Sequence, residues 1–166
     1  MPRAAVAAIF GPKDELLFIQ RAERVGDVWS GHMAFPGGRE EAHDASLQAT
    51  AERETWEEIG LDLSGAVCLG ALSPMSSPRD AAIKRLTVVP YVFRVEAWPA
   101  FTMSEEVAGI VRFRFDRLLA REARGTFPYT WQGAALQLPC VRLEGTLLWG
   151  MTLKMVDEII SLVEGG

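Results

Sequence analysis

Short apolar runs, separated by glycine, proline and charged residues, make up most of the chain. Runs of about four to eight apolar or β-branched residues are typical of strands. Strands are expected at residues 4–10, 15–20, 32–35, 67–72, 86–95 and 110–115, with a further pair at 127–131 and 136–143. The segment 110–115 has the clearest alternation of apolar and polar positions. Pro90 predicts a bend or an edge position in its strand, because proline cannot donate a hydrogen bond to a neighbouring strand.

Helical spacing of apolar residues occurs in a few longer segments. Leu148, Met151, Met155, Ile159 and Val163 predict a helix over 148–163. A helix is also predicted over 45–59, with Asp44 as its N-cap and Gly60 as its C-terminal stop, and a short one over 116–121. Loops are expected at 21–30, 39–44 and 73–82, and a sharp turn at 36–38. This order predicts one mixed sheet with helices on its faces, an α/β fold.

The helix predicted at 45–59 carries three glutamates on one face, because residues three or four apart are neighbours on a helix. These residues are Glu54, Glu57 and Glu58. Each like-charge pair at this spacing costs about 0.2–0.5 kcal/mol on an exposed helix. Carboxylate oxygens suit hard divalent cations, which also bridge to phosphates. The spacing therefore predicts a metal site, and Arg53 is expected to orient one carboxylate when the metal is absent.

Composition limits the class of protein. A chain of 166 residues with 49% hydrophobic content is large enough to fold as a single domain over 1–166 without disulfides. No apolar run approaches the ~20 residues that span a bilayer and no signal-peptide pattern is present, which predicts a soluble, cytoplasmic protein. The net charge of −5 argues against nucleic-acid binding. Cys68 and Cys140 lack paired-cysteine spacing and are expected to be buried and reduced.

Residues 38–61 contain a longer pattern that resembles the signature of the Nudix hydrolases. In that signature a glycine is followed by five residues, a glutamate, seven residues, Arg-Glu, an apolar residue, any residue, Glu-Glu, any residue, glycine and an apolar residue. The matching positions are Gly38, Asp44, Arg53, Glu54, Glu57, Glu58, Gly60 and Leu61. Asp44 replaces the first glutamate, the spacer is one residue longer, and Thr55 stands at an aliphatic position. The part from Arg-Glu to Glu-Glu is intact.

The resemblance implies an α/β/α sandwich with a mixed sheet between helices, and a hydrolase that uses Mg²⁺ or Mn²⁺. The implied metal ligands are Glu54, Glu57, Glu58 and the backbone carbonyl of Gly38. The implied catalytic residues are Glu57, Glu58, Arg53 and Glu106, with Glu106 as the general base and Glu105 or a helix glutamate as alternatives. Substrate binding is expected at Arg21, Arg24, Trp29 and Gly37. The expected partner is a small phosphorylated nucleotide-type substrate, with no nucleic acid and no membrane, and a homodimer is left open.

Four segments further resemble the coenzyme A diphosphatase branch of that family. They are residues 17–22, 31–38, 44–47 and 148–152, and they make coenzyme A or a derivative the leading substrate. The branch motif has a second arginine where this chain has Asp27, and Arg24 is the nearest substitute. The alternatives are a Nudix hydrolase of ADP-ribose, dinucleoside polyphosphates or nucleoside triphosphates, or a non-catalytic nucleotide-binding module. The three repulsive glutamates argue against the non-catalytic module.

Aromatic and histidine residues give weaker signals. Trp29 and Trp131 are candidates for stacking on an adenine base, since aromatic faces hold bases well. Trp56 and Trp149 are expected to be packing residues. Both histidines, His32 and His43, are expected to be structural or solvated.

Overall fold

The computed structural model describes residues 2–23, 25, 32–77, 85–143 and 145–165. In chain order the elements are β1 (Arg3–Phe10), β2 (Glu15–Arg21), β3 (Met33–Ala34), β4 (Gly37–Arg39), α1 (Leu47–Ile59), β5 (Val67–Ala71), β6 (Met75–Ser76), β7 (Thr87–Arg94), β8 (Val107–Arg114), α2 (Phe115–Leu119), β9 (Arg124–Trp131), β10 (Ala134–Leu143), β11 (Thr146–Trp149) and α3 (Gly150–Gly165).

Within the described ranges, eight strands form one mixed sheet around β1. Strand β1 runs parallel to β7, from Arg3 opposite Thr87 to Phe10 opposite Arg94. Its other edge pairs antiparallel with β4 and, at Phe10, with β2. Strands β3 and β8 both pair with β2, while β5 and β6 pair with the outer edge of β7. The mixed sheet predicted from the sequence is therefore confirmed.

Helices cover both faces of this sheet, because side chains of β1 alternate between two apolar cores. Ala5, Ala7 and Ile9 belong to a core that also contains the inward residues of α1. Ala4 and Ala8 point to the opposite face, where α2 and α3 supply the covering side chains. Successive residues of a strand face opposite sides of the sheet, so one strand contributes to both cores. This arrangement confirms the α/β/α sandwich.

Pro90 lies in an interior strand, so the expectation of a bend or an edge position is wrong. The strand β7 has β1 on one side and β5 and β6 on the other. Strand β5 pairs with residues 91–94 and β6 pairs with residues 87–88. Pro90 falls between these pairings, and its carbonyl accepts a hydrogen bond from the Leu72 N–H at 2.8 Å. The missing N–H of proline is tolerated there because neither partner strand needs it.

The C-terminal part forms a second sheet, with strand order β11, β10, β9. The strand pair expected at 127–131 and 136–143 is present as β9 and β10, but its separation from the main sheet was not predicted. Leu148 was expected to begin the last helix. It lies instead in β11, where it pairs with Val141 of β10. Helix α3 begins at Gly150, whose φ of 61° provides the change from strand to helix. The short strand β6 lies within the loop expected at 73–82. The other expected helices and strands are present with shifted ends, whereas most of the loop expected at 21–30 and the part of the 73–82 loop after residue 77 lie outside the described residues.

The two cysteines are both free, but they differ in burial. Cys140 is buried, as predicted, whereas Cys68 is only half-buried because it lies on β5 at the edge of the sheet. Among the described residues, no helix is long and apolar enough to cross a membrane.

Candidate active site

Helix α1 begins at Leu47, later than the predicted residue 45, because Ser46 rather than Asp44 caps it. The Ser46 hydroxyl accepts a hydrogen bond from the Ala49 N–H at 3.0 Å. Gly60, with a φ of 69°, ends the helix in the left-handed conformation. The C-terminal end therefore agrees with the prediction, and the N-cap does not.

Asp44 instead binds the side chain of Arg53. Its carboxylate accepts hydrogen bonds from Arg53 Nε at 2.8 Å and Nη2 at 3.0 Å, and one from the Thr50 hydroxyl at 2.8 Å. The side chain of Asp44 is only 3% exposed. Hydrogen bonding to the Arg53 guanidinium holds the pKa of Asp44 well below its usual range. The substitution of aspartate for the glutamate of the signature thus still provides a partner for Arg53.

Arg53 also contacts two of the three glutamates on α1. Its Nη1 donates to Glu54 at 2.9 Å and to both carboxylate oxygens of Glu57 at 3.2 Å. Its Nη2 additionally donates to the Arg39 carbonyl at 3.0 Å. The guanidinium therefore ties the carboxylate face of α1 to Asp44 and to the end of β4. The positive charge of Arg53 offsets part of the repulsion between the glutamates, because opposite charges at this short distance attract each other.

The glutamates of α1 meet a second acidic segment at one cavity. The cavity has a volume of about 370 Å³ and is lined by Glu54, Glu57, Glu58, Ser104, Glu105 and Glu106. The loop that carries the last three residues is docked on the end of α1. The Thr102 N–H donates to the Ile59 carbonyl at 3.0 Å, and the Ser104 N–H donates to the Glu58 carbonyl at 2.9 Å. These bonds satisfy carbonyls that the last turn of a helix leaves without an intrahelical partner.

Gly37 and Gly38 do not form the expected sharp turn; they are part of β4, opposite Val6 and Ala5 of β1. Neither glycine has a positive φ. They are required because neighbouring atoms come very close. A Cβ at Gly37 would lie 2.3 Å from the Ala5 carbonyl oxygen, and one at Gly38 would lie 2.5 Å from Cδ of Glu54. The Gly37 N–H also donates to Glu58 Oε1 at 2.7 Å, so the glycine pair lies directly against the carboxylates.

Burial makes Glu54 and Glu58 harder to ionise in the metal-free protein. The pKa of Glu58 is raised to about 7, chiefly because the group is buried, with contributions from the charges of Glu54 and Glu106. The Gly37 N–H and the Arg21 charge oppose this shift. Burial also raises the pKa of Glu54. A cation would remove this penalty, since it stabilises the ionised form.

The chemistry of these donors fits a hard divalent cation, which prefers several carboxylate and carbonyl oxygens. In the ranges that the structure covers, no three histidine, cysteine or acidic side chains already surround a point that could hold an ion. Glu54 and Glu57 accept hydrogen bonds from Arg53, and Glu58 accepts one from Gly37. An ion would therefore compete with these contacts for the same oxygens.

Arg21, at the end of β2, acts on Glu58 through its charge and lines a second cavity. The charge of Arg21 lowers the pKa of Glu58. Arg21 also lines a cavity of about 250 Å³ together with Gly37 and Gly38. The backbone N–H of Arg21 donates a hydrogen bond to the His32 carbonyl at 3.1 Å. The predicted substrate residues Arg24 and Trp29, and also Asp27, lie outside the described residues. The structure thus brings Arg21 and Gly37 to the same place.

The tryptophans and histidines differ in their surroundings. Trp56 is 59% exposed, so the prediction that it packs in the interior is wrong; it points away from the buried side of α1. Trp149 is buried as expected, and its Nε1–H donates to Nδ1 of His32 at 2.9 Å. Trp131 lies at the end of β9, on the second sheet and outside the residues that line the two cavities above. His43 is exposed, with its side chain near Glu41 and Asp44.

Sequence reasoning did not identify the role of three residues at these cavities, one that anchors the acidic loop and two that line the second cavity. Thr102, whose N–H anchors the acidic loop, carries no sequence signal because only its backbone is used. Met33 and Met155 line the second cavity from segments far apart in the chain. Helical spacing indicated that Met155 faces inward, but no local pattern indicates which cavity it reaches.

Comparisons with known proteins agree on one family. A model of the NUDIX domain matches residues 1–130. An uncharacterized Nudix hydrolase, NudL of Yersinia pestis (strain Pestoides F), is 30% identical over 164 residues, which cover 97% of this chain and 79% of the relative.

Solved structures support the same fold at lower identity. An Ap4A hydrolase binary complex from C. elegans is similar with a TM-score of 0.64 and 13% identity, covering 100% of both chains. The NUDIX domain of NrtR from Shewanella oneidensis, complexed with ADP ribose, gives a TM-score of 0.62 and 17% identity, covering 97% of this chain and 87% of that one. At such identity the likeness shows the fold alone. From the family model and the relative, the chain belongs to the Nudix hydrolases, enzymes that act on nucleoside-diphosphate-linked substrates.

Proposed function

We propose that this Nudix hydrolase cleaves the diphosphate of coenzyme A or one of its derivatives at the acidic cavity. Water adds to one phosphorus as the P–O–P bond breaks, so coenzyme A gives phosphopantetheine and adenosine 3′,5′-bisphosphate. The observation that carries the proposal is the meeting of Glu54, Glu57 and Glu58 with Glu106 at one cavity beside the glycine pair.

Nudix hydrolases generally use divalent metal ions, and Mg²⁺ or Mn²⁺ is the proposed cofactor. Glu54, Glu57, Glu58 and the Gly38 carbonyl are the proposed ligands, because they supply oxygen atoms around one small volume. When bound, the ion neutralises charge on the diphosphate and acidifies the attacking water. Glu106 is the proposed general base, since it lies on the same cavity and its backbone carbonyl accepts a hydrogen bond from the Ala22 N–H at 2.9 Å. Glu105 lines that cavity too and is the alternative base.

Arg53 acts as a positioning residue in this proposal. It holds Glu54 and Glu57 on one side and Asp44 on the other, so its fork fixes the direction of two ligands. A planar guanidinium makes several such bonds at once, which a lysine cannot reproduce. Arg21 is proposed to bind a phosphate, since its guanidinium belongs to a residue that lines the cavity next to Gly37.

The coenzyme A assignment is supported by two segments that meet in space. The segments 31–38 and 148–152 resemble the coenzyme A branch of the family. His32, Met33, Trp149 and Met151 from these segments line the same cavity. The NrtR domain complexed with ADP ribose makes ADP-ribose the substrate to test against it.

Purified protein would be offered coenzyme A, ADP-ribose, diadenosine polyphosphates and nucleoside triphosphates, with Mg²⁺ or Mn²⁺. Glu57→Gln and Glu58→Gln would be measured beside it, and Glu52→Gln would serve as the control. Glu52 lies on the same helix but pairs with Gln48 rather than lining the acidic cavity. Metal-dependent turnover of coenzyme A, lost in the first two variants and kept in the control, is the expected result.

Two other outcomes separate the parts of the proposal. The absence of metal-dependent product release from every substrate would rule out hydrolysis at this cavity. Turnover of ADP-ribose without turnover of coenzyme A would reject only the coenzyme A assignment. Equal loss in Glu52→Gln would show that a change of helix charge, rather than loss of a ligand, lowers the activity.

A further inference from the structure

The loop at residues 102–106 is attached to the rest of the chain on both of its sides. On one side, two of its N–H groups donate hydrogen bonds to carbonyls in the last turn of α1. On the other side it continues into β8, whose pairing with β2 begins with Val107 opposite Arg21. The Ala22 N–H extends this pairing by one bond, to the Glu106 carbonyl at 2.9 Å. Glu106 therefore lies between the end of α1 and the end of β2.

An irregularity in the β2–β8 pairing turns the start of β8 toward α1. The register shifts between Gln20 and Arg21, so that Ala108 is the extra residue of a β-bulge. One extra residue reverses the faces to which the side chains beyond it point. Val107 accordingly belongs to the core on the α1 side, whereas Val111 packs against the opposite core. In a regular strand these two side chains, four residues apart, would share a face. The bulge thus brings the loop before β8 to the side of the sheet that carries the carboxylates.

Ser104 is the first residue of a β-turn that ends at Val107. Its carbonyl accepts a hydrogen bond from the Val107 N–H at 3.1 Å, and its Oγ accepts one from the Glu106 N–H at 3.3 Å. Serine is favoured at this position of a turn because its hydroxyl can bond the backbone two residues on. Its own N–H donates to the Glu58 carbonyl. All three polar groups of Ser104 therefore hold the loop in place.

The hydroxyl of Ser104 completes the bonding of the Glu106 backbone. The Glu106 N–H is bonded to Ser104, and the Glu106 carbonyl is bonded to the Ala22 N–H. Hydrogen bonds on both sides of one residue restrict its φ and ψ, and these angles set the direction in which the side chain leaves the backbone. Loss of the hydroxyl would release one of the two sides.

The turn also gives its two central glutamates different directions. Glu105 and Glu106 occupy the second and third positions, where the backbone angles of a β-turn differ. The pKa values of Glu54 and Glu58 are raised chiefly by burial and further by the charge of Glu106. Glu106 therefore acts on the carboxylates of α1 from the third position of the turn.

We infer that Ser104 is a positioning residue for the proposed general base, because its hydroxyl holds the turn in which Glu106, rather than Glu105, is directed at the carboxylates of α1. This inference rests on the proposed hydrolysis and on Glu106 as its base. It adds a residue that acts through Glu106 and makes no contact with the reacting atoms.

The first test detects the turn without using activity. Solvent exchange of the Glu106 amide hydrogen would be measured by NMR in chelator, in the wild-type protein, Ser104→Ala and Ser104→Thr. Loss of one hydrogen bond is expected to speed the exchange about fivefold in the alanine variant. Threonine keeps the hydroxyl, so its rate should stay close to that of wild type. Equal rates in all three proteins would overturn the inference.

The second test is a double-mutant cycle on kcat, with the substrate that the wild-type enzyme turns over in the panel above. Ser104→Ala is expected to lower kcat about tenfold and to change KM less than about twofold, because a misdirected base slows the reaction without weakening binding. Ser104→Thr should retain kcat. In the Glu106→Gln background, Ser104→Ala is expected to change kcat less than about twofold, since no base remains to be positioned. Glu105→Gln should lower kcat less than about threefold.

Asp62→Ala is the matched control, because the Asp62 carboxylate accepts a hydrogen bond from the Ser64 N–H at 2.9 Å. This bond closes the same kind of turn, from a side chain to the N–H two residues on, but Asp62 does not line the acidic cavity. The variant is expected to leave kcat unchanged.

Three results would overturn the positioning role and leave the hydrolysis in place. They are a loss from Ser104→Ala that persists in the Glu106→Gln background, an undiminished kcat in Glu106→Gln, and a rise in KM without a fall in kcat, which would indicate that the hydroxyl binds the substrate directly. The absence of turnover of every substrate by the wild-type protein would instead overturn the hydrolysis. The exchange rate of the Glu106 amide would then still decide whether Ser104 holds the turn.

Discussion

Helices α1 and α3 cover opposite faces of one sheet, but they bury different kinds of side chain. The buried set of α1 includes Thr50, Thr55 and Glu58, whereas every buried side chain of α3 is apolar. Thr55 bonds the Ala51 carbonyl at 2.7 Å, and Thr50 bonds Asp44. The face that carries the candidate site thus contains buried polar groups that must be satisfied individually. The face covered by α3 is stabilised by contacts among many apolar side chains.

The difference indicates that the carboxylate chemistry lies on the face with α1, whereas α3 contributes apolar packing and, through Met151 and Met155, part of the wall of the second cavity. Arg53 and the glutamates of α1 form one network with Asp44, so a change in one group alters the others. On α3, a lost methyl group affects mainly its neighbours in the core. Substitutions of the α1 carboxylates should therefore affect activity more than the free energy of unfolding, and substitutions of core residues of α3 that line neither cavity should do the reverse.

The largest expected effect is the loss of activity in Glu58→Gln. Glutamine keeps the size of the side chain and an oxygen for the Gly37 N–H, but it removes a proposed metal ligand charge. We expect kcat to fall by roughly 10²- to 10³-fold, as for loss of one electrostatic contact to the reacting group. Steady-state kinetics at saturating Mg²⁺, with thermal melting as the check on folding, would measure it. A fall of less than about threefold would remove Glu58 from the site.

The corresponding change on α3 is Leu153→Ala. Leu153 is 2% exposed and belongs to the core on that face, so the substitution leaves a cavity and should lower the free energy of unfolding by about 2–5 kcal/mol. Urea unfolding would measure this loss. At a temperature where the variant stays folded, kcat is expected to change less than about twofold. A large loss of kcat in the folded variant would contradict the division between the two faces.

The face with α1 was predicted from the sequence to the extent that its signals are local. The spacing of Glu54, Glu57 and Glu58 and the left-handed Gly60 depend on neighbours within one helical turn. The N-cap was predicted wrongly because aspartate and serine are both good caps. The Asp44 carboxylate accepts hydrogen bonds from Arg53, two turns further along the helix, so Ser46 caps the helix instead.

Contacts between distant segments were not predictable from local pattern. Gly37 and Gly38 read as a turn because glycine is common in turns, but they are needed for close approach to Ala5 and Glu54. The methionine-lined cavity joins β3 with α3, and no periodicity relates those segments. Exposure of Trp56 is equally a tertiary property, since aromatic character alone does not say which side of a helix faces the sheet.

The pH dependence of the free energy of unfolding is a third property expected to depend on the face with α1, because Glu58 is buried there. In the metal-free protein the pKa of Glu58 is about 7, against 4.5 for the free side chain. Between these values the folded state binds more protons than the unfolded chain, so the free energy of unfolding falls as pH rises. We expect a loss of about 2 kcal/mol between pH 5.5 and 8, measured by urea unfolding in chelator. The stability is present at low pH and lost as pH rises through 7.

Glu58→Gln is the control for this pH effect, and it should flatten the profile. Glu54, whose pKa is also raised, acts in the same direction and remains in the variant. Asp44 has a lowered pKa, so its contribution is lost only in more acidic solution, below this window. Identical profiles for the two proteins would show that the burial of Glu58 does not contribute to the pH dependence.

The smallest expected effect concerns the joint between α1 and the acidic loop. A Cβ at Gly60 would lie 3.2 Å from Cβ of Thr102, whose N–H anchors the loop on Ile59. Gly60→Ala therefore combines backbone strain of about 1–2 kcal/mol at positive φ with a shift of the loop that carries Glu106. We expect kcat to fall about fivefold, because small misplacements of a catalytic group reduce rate.

Gly133→Ala supplies the matched comparison for this joint. Gly133 has a φ of 79°, similar to that of Gly60, but no atom lies within 4 Å of the added Cβ. It lies between β9 and β10, away from the acidic cavity. Both variants should lose similar free energy of unfolding, since both force alanine into the left-handed region, and only Gly60→Ala should lose activity. Equal kcat values in the two variants would show that the substitution at the end of α1 does not displace Glu106. The hydrogen bond from the Ser104 N–H to the Glu58 carbonyl would then be sufficient to hold the loop.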